Sequence, residues 1–194
     1  MRALIVVDAQ NEFGPGGLRT VPDHAEGLAA IGRWVARARA GGWPIAWVQH
    51  HNKPHESRAF VPGTWGAELS PGMGPRLDTP LERRFQKDVF GAFTGTGLEE
   101  WLRGQGVDGV VIVGFYAHMC LSTSVREALV RGFEVSVDPE ATGACDLTHP
   151  ELGTQTADEV RRAALLHVTH MGATLASSRE GVEGEPSLAS AAPR

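Results

Sequence analysis

Apolar residues fall along this chain in two kinds of pattern. Ala3 to Val7 and Val110 to Val113 are unbroken apolar runs rich in β-branched residues, as in strands of a parallel sheet covered on both faces. Ile45 to Val48 and Phe133 to Val137 predict further short strands, Arg83 to Lys87 a weaker one, and Ala173 to Ala176 a last edge strand. Between them the period changes. Leu28, Ile31, Val35 and Ala38 recur at helical spacing, opened by Asp23 and Glu26 in capping-box order and stopped by Gly41-Gly42. Thr96 with Leu98, Trp101 and Leu102 predicts a capped helix ended by Gly104 and Gly106, and helices are also expected over Cys120 to Leu129 and Asp158 to His167. The stretch after His51 to about Pro80, rich in Pro, Gly and Ser, reads as a long loop lying over a pocket.

Strands alternating with helices predict an α/β fold: a three-layer α/β/α arrangement with a mainly parallel central sheet and the first strand near its middle. Ligands of such sheets bind beyond the carboxyl ends of the strands, and Asp8, His50, Lys87 and the turn from Phe115 to Cys120 all fall at such ends. Residues 1–178 are expected to form the domain. Residues 179–194, with almost no large apolar side chains, read as a disordered tail.

Composition narrows the function. Of 194 residues, 42% are hydrophobic and 21% charged, ordinary values for a globular protein. A net charge of -5 argues against nucleic acid as a partner, because phosphate binding needs clustered Lys and Arg. No apolar run approaches the roughly 20 residues that span a bilayer, and the N-terminal one is too short for a signal peptide, so no membrane partner and a cytoplasmic location are expected. Two cysteines make no disulfide framework, so each thiol needs its own account.

Cys120 stands where the strongest strand turns into a helix, which would let its sulfur face the cleft. Position alone leaves two readings, a nucleophile or a small buried hydrophobe. Three segments separate them. Asp8-Ala9-Gln10-Asn11-Glu12-Phe13 closes the first strand. Lys87 precedes Phe90-Gly91-Ala92-Phe93-Thr94-Gly95-Thr96-Gly97-Leu98, and Cys120 follows Gly114 by six residues. In this order the segments resemble the isochorismatase-like hydrolases, and the resemblance runs from residue 3 to about residue 176.

That resemblance implies a triad of Cys120 as nucleophile, Lys87 as its cationic partner and Asp8 as acid and base. It implies hydrolysis of a small carboxamide or related C–N bond through a thioester, without metal or other cofactor. It also implies a cis bond between Phe115 and Tyr116, with the backbone N–H groups of Tyr116 and Cys120 as the oxyanion hole. A homodimer or homotetramer is the expected assembly. Lys87 beside Cys120 is expected to lower the thiol below its ordinary pKa of about 8.5. Phe13, His50, Trp65, Phe90 and His118 are the candidate substrate-pocket residues, though His118 reads equally well as a helix cap. Cys145 is expected to be a bystander.

Two further readings stay open. Nicotinamidase-type members of the family bind a divalent metal through an Asp-x-His pair and nearby histidines, and this chain has His50, His51 and His55 at that place without an accompanying carboxylate. The third reading is a catalytically silent relative acting as a binding or scaffold protein, against which the complete Asp8, Lys87 and Cys120 set speaks. Ala117-His118 and the lone Tyr116 depart from the small and Thr-Asp or Thr-Asn residues common at those places, so the surroundings of the sulfur are this chain's own.

Overall fold

The computed structural model describes residues 1–53 and 55–179. Among them, six strands form one parallel sheet: β1 (Arg2–Val7), β2 (Ile45–His50), β3 (Glu82–Lys87), β4 (Gly109–Phe115), β5 (Glu134–Gly143) and β8 (Thr174–Leu175). Their order across the sheet is β3-β2-β1-β4-β5-β8. The chain therefore builds outward from β1 to β3, returns to the other side of β1, and builds outward again. β1 and β4 flank the point where the direction reverses, the place at which such sheets bind ligands.

The unbroken apolar runs are explained by the two cores they serve. Along β1, Ala3, Ile5 and Val7 point into one core, closed by α2 (Leu98–Gly104), α3 (Ser122–Val130) and α4 (Ala157–His170). Leu4 and Val6 point into the other, closed by α1 (His24–Ala40) through Ile31, Trp34 and Val35. Side chains alternate across a strand, so a strand sandwiched between helices must be apolar at every position. The three layers expected from the sequence are present, and every strand pair in this sheet is parallel.

Several local expectations need correction. Asp23 stands at the N-cap of α1 but its side chain makes no capping hydrogen bond. The reciprocal capping box forms at α4 instead, where Thr156 and Glu159 bond each other's backbone N–H groups. Gly97, at a φ of 73°, takes the N-cap of α2, while the Thr96 hydroxyl still accepts the Leu98 N–H at 3.2 Å. The helix expected from Cys120 onward is preceded by a π-helical turn over Ala117–Leu121. A short antiparallel hairpin, β6 (Leu147–His149) and β7 (Gly153–Gln155), follows β5 and was not expected; all six of its strand residues are exposed, so no apolar alternation marks them. The tail expected over 179–194 lies outside the described residues except for Arg179, which bonds Glu140 Oε2 at 2.6 Å.

The two caps give a direct comparison. Thr156→Ala should lower stability by about 1 kcal/mol, the usual worth of an N-cap hydrogen bond, and Asp23→Ala by less than half of that. Denaturant midpoints of the two variants, compared with wild type at equal slope, measure both; equal losses would contradict the assignment.

Candidate active site

Asp8 directly follows β1, and its φ of 53° lies in the left-handed region and turns the chain sharply out of the sheet. Two residues on, the buried Gln10 side chain acts as a splint between strand ends. Its Oε1 accepts the His50 N–H at 2.9 Å, and its Nε2 donates to the carbonyls of His50 at 3.0 Å and Ala67 at 2.7 Å. Glu12, also buried, accepts the N–H groups of Leu18 at 2.5 Å and Phe60 at 3.1 Å. The Asp-x-Gln segment thus places one carboxylate in the site and uses its neighbours to tie down the loops around it.

Lys87 closes β3 and lies in register with His50 of β2. Its side chain is fully buried, with Nζ 2.7 Å from Asp8 Oδ2, 3.1 Å from His50 Nδ1, 3.2 Å from Cys120 Sγ and 3.3 Å from the Val89 carbonyl. Asp8 Oδ1 has no hydrogen-bond partner among the described residues.

The turn carrying Cys120 starts at Tyr116, whose carbonyl accepts the N–H groups of Met119 and Leu121, each at 3.1 Å. The second bond spans five residues, the π geometry that often marks functional sites. The peptide bond between Phe115 and Tyr116 is cis. Ser124 Oγ donates to the Cys120 carbonyl at 2.6 Å and accepts the Ala92 N–H at 3.0 Å. Glu127 of α3 accepts the Phe93 N–H at 2.9 Å and the Thr94 hydroxyl. A Cβ on Gly91 would collide with that carboxylate, which is why glycine sits in the segment after Lys87. The lysine and cysteine segments are therefore bonded to each other as well as adjacent.

Electrostatics reverses one expectation. Burial pushes the Cys120 thiol well above its ordinary pKa, the Asp8 carboxylate pushes it further, and Lys87 pulls it down without overcoming them. Burial also opposes the Lys87 ammonium, but Asp8 and Cys120 outweigh it and the net shift is upward. The ammonium is already matched by Asp8, so a thiolate would add an unbalanced charge to a buried site. The upward shifts of both groups keep Cys120 as a thiol beside the Lys87 ammonium, in place of the preformed thiolate expected from the sequence.

The remaining candidates divide. Phe13 is buried and packs on Phe60 at 5.1 Å, Tyr116 at 4.8 Å and Phe115 at 5.5 Å between ring centroids. His118 stacks on Tyr116 at 5.1 Å; its Nδ1 is buried without a hydrogen-bond partner among the described residues, so it caps no helix among them, and burial lowers its pKa. Burial and then the adjacent Cys145 push the Tyr116 phenol upward, so Cys145 neighbours Tyr116. Trp65 and Phe90 stand at the surface, 53% and 52% exposed. The residues that sequence reasoning left out are Gln10, Glu12, Asn52 and Phe60; Gln10 alone carried a signal, through its place in the Asp-x-Gln segment.

Carboxylate, imidazole and thiolate can all ligate a divalent metal, so the fit turns on what already lies between them. Among the described residues, one group of three or more His, Cys, Asp or Glu has ligand atoms within 4.8 Å of one another, namely Asp8, His50 and Cys120. All three face the Lys87 ammonium, which occupies the position a cation would take. His51 and His55 do not join them.

The Isochorismatase domain model matches residues 2–180. This chain belongs to the isochorismatase family. It is 30% identical to a secreted isochorismatase effector of Verticillium dahliae, over 91% of this chain and 88% of that protein. It is 32% identical to a nicotinamidase/pyrazinamidase of Mycobacterium tuberculosis, over 85% and 97%. Among solved structures, an isochorismatase from Pseudomonas putida superposes with a TM-score of 0.82 at 27% identity, covering 91% of this chain and 88% of that one. Family members thus include a protein named as secreted, while in this chain no helix among the described residues is long and apolar enough to cross a membrane.

The charge arrangement makes a signed prediction. Asp8→Asn should lower the apparent pKa of Cys120, because it removes a negative charge from beside the thiol, and Lys87→Met should raise it. Alkylation rates against pH, with the modified peptide identified by mass, read both shifts; a pKa that rises in Asp8→Asn would refute the assigned resting state.

Proposed function

We propose that this protein is a metal-independent cysteine amidohydrolase acting on a small carboxamide or related C–N bond. The observation that carries the reading is the single buried ammonium of Lys87 touching both Asp8 and Cys120. Names borne by relatives agree with the reaction class: a streptothricin hydrolase of Streptomyces noursei and a ureidoacrylate amidohydrolase of Methylobacterium radiotolerans are 32% and 28% identical.

The residues perform the reaction as follows. Asp8 takes the Cys120 proton as the sulfur attacks the substrate carbonyl, and Lys87 holds the forming thiolate. The carbonyl oxygen becomes an oxyanion, received by the backbone N–H groups of Tyr116 and Cys120. As the intermediate collapses, the C–N bond breaks and protonated Asp8 gives its proton to the leaving nitrogen, leaving a thioester on Cys120. Water then attacks the thioester carbonyl and loses a proton to Asp8. The carboxylic acid departs and the proton returns to sulfur. Asp8 Oδ1, which has no hydrogen-bond partner among the described residues, is the oxygen free to face the thiol, the leaving group and the water in turn. Phe13, Tyr116 and His118 supply a neutral wall, and two unpaired thiols agree with a reducing, cytoplasmic setting.

The test is ammonia release from a panel of primary carboxamides by wild type, by Cys120→Ala, and by wild type after exhaustive chelation. Cys120→Ala should lose at least roughly a thousandfold in rate, with a stable acyl adduct trapped on Cys120 in wild type only, and chelation should change nothing. Activity lost to the chelator and restored by a divalent metal would overturn metal independence. Silence of wild type on every amide, with no adduct, would overturn the amidohydrolase reading.

A further inference from the structure

We propose that His50 is a fourth member of the catalytic group, a positioning residue that acts through Lys87 as a fixed hydrogen-bond acceptor. The inference rests on the hydrolase reading above. It begins from the sheet: β3 is an edge strand, so the backbone of Lys87 is held by one neighbour only, β2, and His50 is its partner in register. The His51 N–H donates to the Lys87 carbonyl at 2.9 Å, which completes that pairing.

The polarity of the His50 ring follows from its surroundings. Asn52 Nδ2 donates to the Ala59 carbonyl at 3.1 Å, so Asn52 Oδ1 is the atom turned toward His50, 2.7 Å from Nε2. An amide oxygen only accepts, so Nε2 carries the proton and Nδ1 presents its lone pair. Lys87 Nζ, which only donates, lies 3.1 Å from that lone pair. The ring cannot drift: Gln10 clamps the His50 backbone at both its N–H and its carbonyl, and Phe60 packs edge-on at 5.4 Å.

An ammonium has three protons, and here four acceptors lie within 3.3 Å of it. With His50 taking one proton, the other two are left for Asp8 and Cys120, the two partners between which the catalytic proton moves. Without that acceptor, the third proton passes to the Val89 carbonyl and Nζ loses its tie to β2, so its place beside the sulfur is no longer fixed. A neutral acceptor also leaves the positive charge of Lys87 undiminished, which a carboxylate in the same place would not.

The experiment uses the full chain with iodoacetamide as a probe of Cys120, the adduct located by peptide mass, alongside the amide panel. His50→Leu should alkylate roughly tenfold more slowly or worse, because thiolate formation depends on the placed ammonium. His50→Asn, which returns an acceptor to the Nδ1 position, should recover to within about threefold of wild type. Asn52→Leu, which keeps the imidazole but frees its tautomer, should fall between the two. On the best amide, the loss should appear in kcat with KM little changed. A folded His50→Leu that alkylates at the wild-type rate, or a His50→Asn no better than His50→Leu, would sink the proposal. If His50→Leu does not fold, the other two variants decide: Asn52→Leu slower than His50→Asn supports the role, and equal rates overturn it. Amide silence with these alkylation differences intact would count against the hydrolase reading and leave the positioning role standing.

Discussion

The buried ion pair between Lys87 and Asp8 is the contact on which the site depends. Both side chains are fully buried, and two charges removed from water are tolerated only when geometry and further hydrogen bonds compensate. The compensation is visible: a 2.7 Å separation, and an ammonium whose other contacts are a ring nitrogen, a sulfur and a carbonyl. The sheet order explains why the cation is a lysine. Asp8 follows β1 and Lys87 ends β3, with β2 between them, so about two strand spacings, near 10 Å, separate their backbones. A long, flexible stem with a compact charge bridges that gap and still leaves room for a third partner.

Bringing the carboxylate and the thiol to the same cation needs unusual backbone at the reversal point. Asp8 adopts a left-handed conformation that side chains rarely take, and Gly114, at a φ of 122°, approaches β1 so closely that a Cβ would collide with the Val7 carbonyl. The π turn then sets Cys120 back toward β1 before α3 begins. Each of these departures lies at a carboxyl strand end, and each leans on ordinary structure beside it: Gln10 on β2, Ser124 and Glu127 on the lysine segment. The regular sheet is what lets the irregular turns persist.

Much of this was legible in the sequence, and the remainder was not for identifiable reasons. The apolar runs of β1 and β4 named the two strands at the reversal point because burial on both faces leaves no other pattern. The convergence of Asp8, Lys87 and Cys120 was readable from three spaced segments. Capping was misassigned at Asp23 because residue type shows that a cap can form, while Thr156 shows that backbone approach decides whether it does. The π turn was read as plain helix, since one extra residue in a turn leaves the apolar period unchanged. The sign of the thiol shift was missed because a spacing motif names neighbours without weighing them; burial and the Asp8 charge together exceed the pull of Lys87. Asn52 and Phe60 come from the long loop, where no periodicity connects a residue to the site it reaches.

The resting charges also explain the shape of the proposed cycle. In a site this buried, moving a proton between two groups that share a cation costs far less than creating a new separated charge. In the proposed cycle Cys120 would give its proton to Asp8 on becoming anionic, and Asp8 would give it to the leaving nitrogen as the thioester forms. During deacylation the water repeats the exchange in reverse. Lys87 stays charged throughout, held by acceptors on three sides, and one negative charge passes between oxygen and sulfur beside it. The raised thiol is consistent with a working nucleophile on this account: sulfur is activated during attack, when the substrate has displaced water and the oxyanion donors stand ready, and is otherwise kept protonated and unreactive.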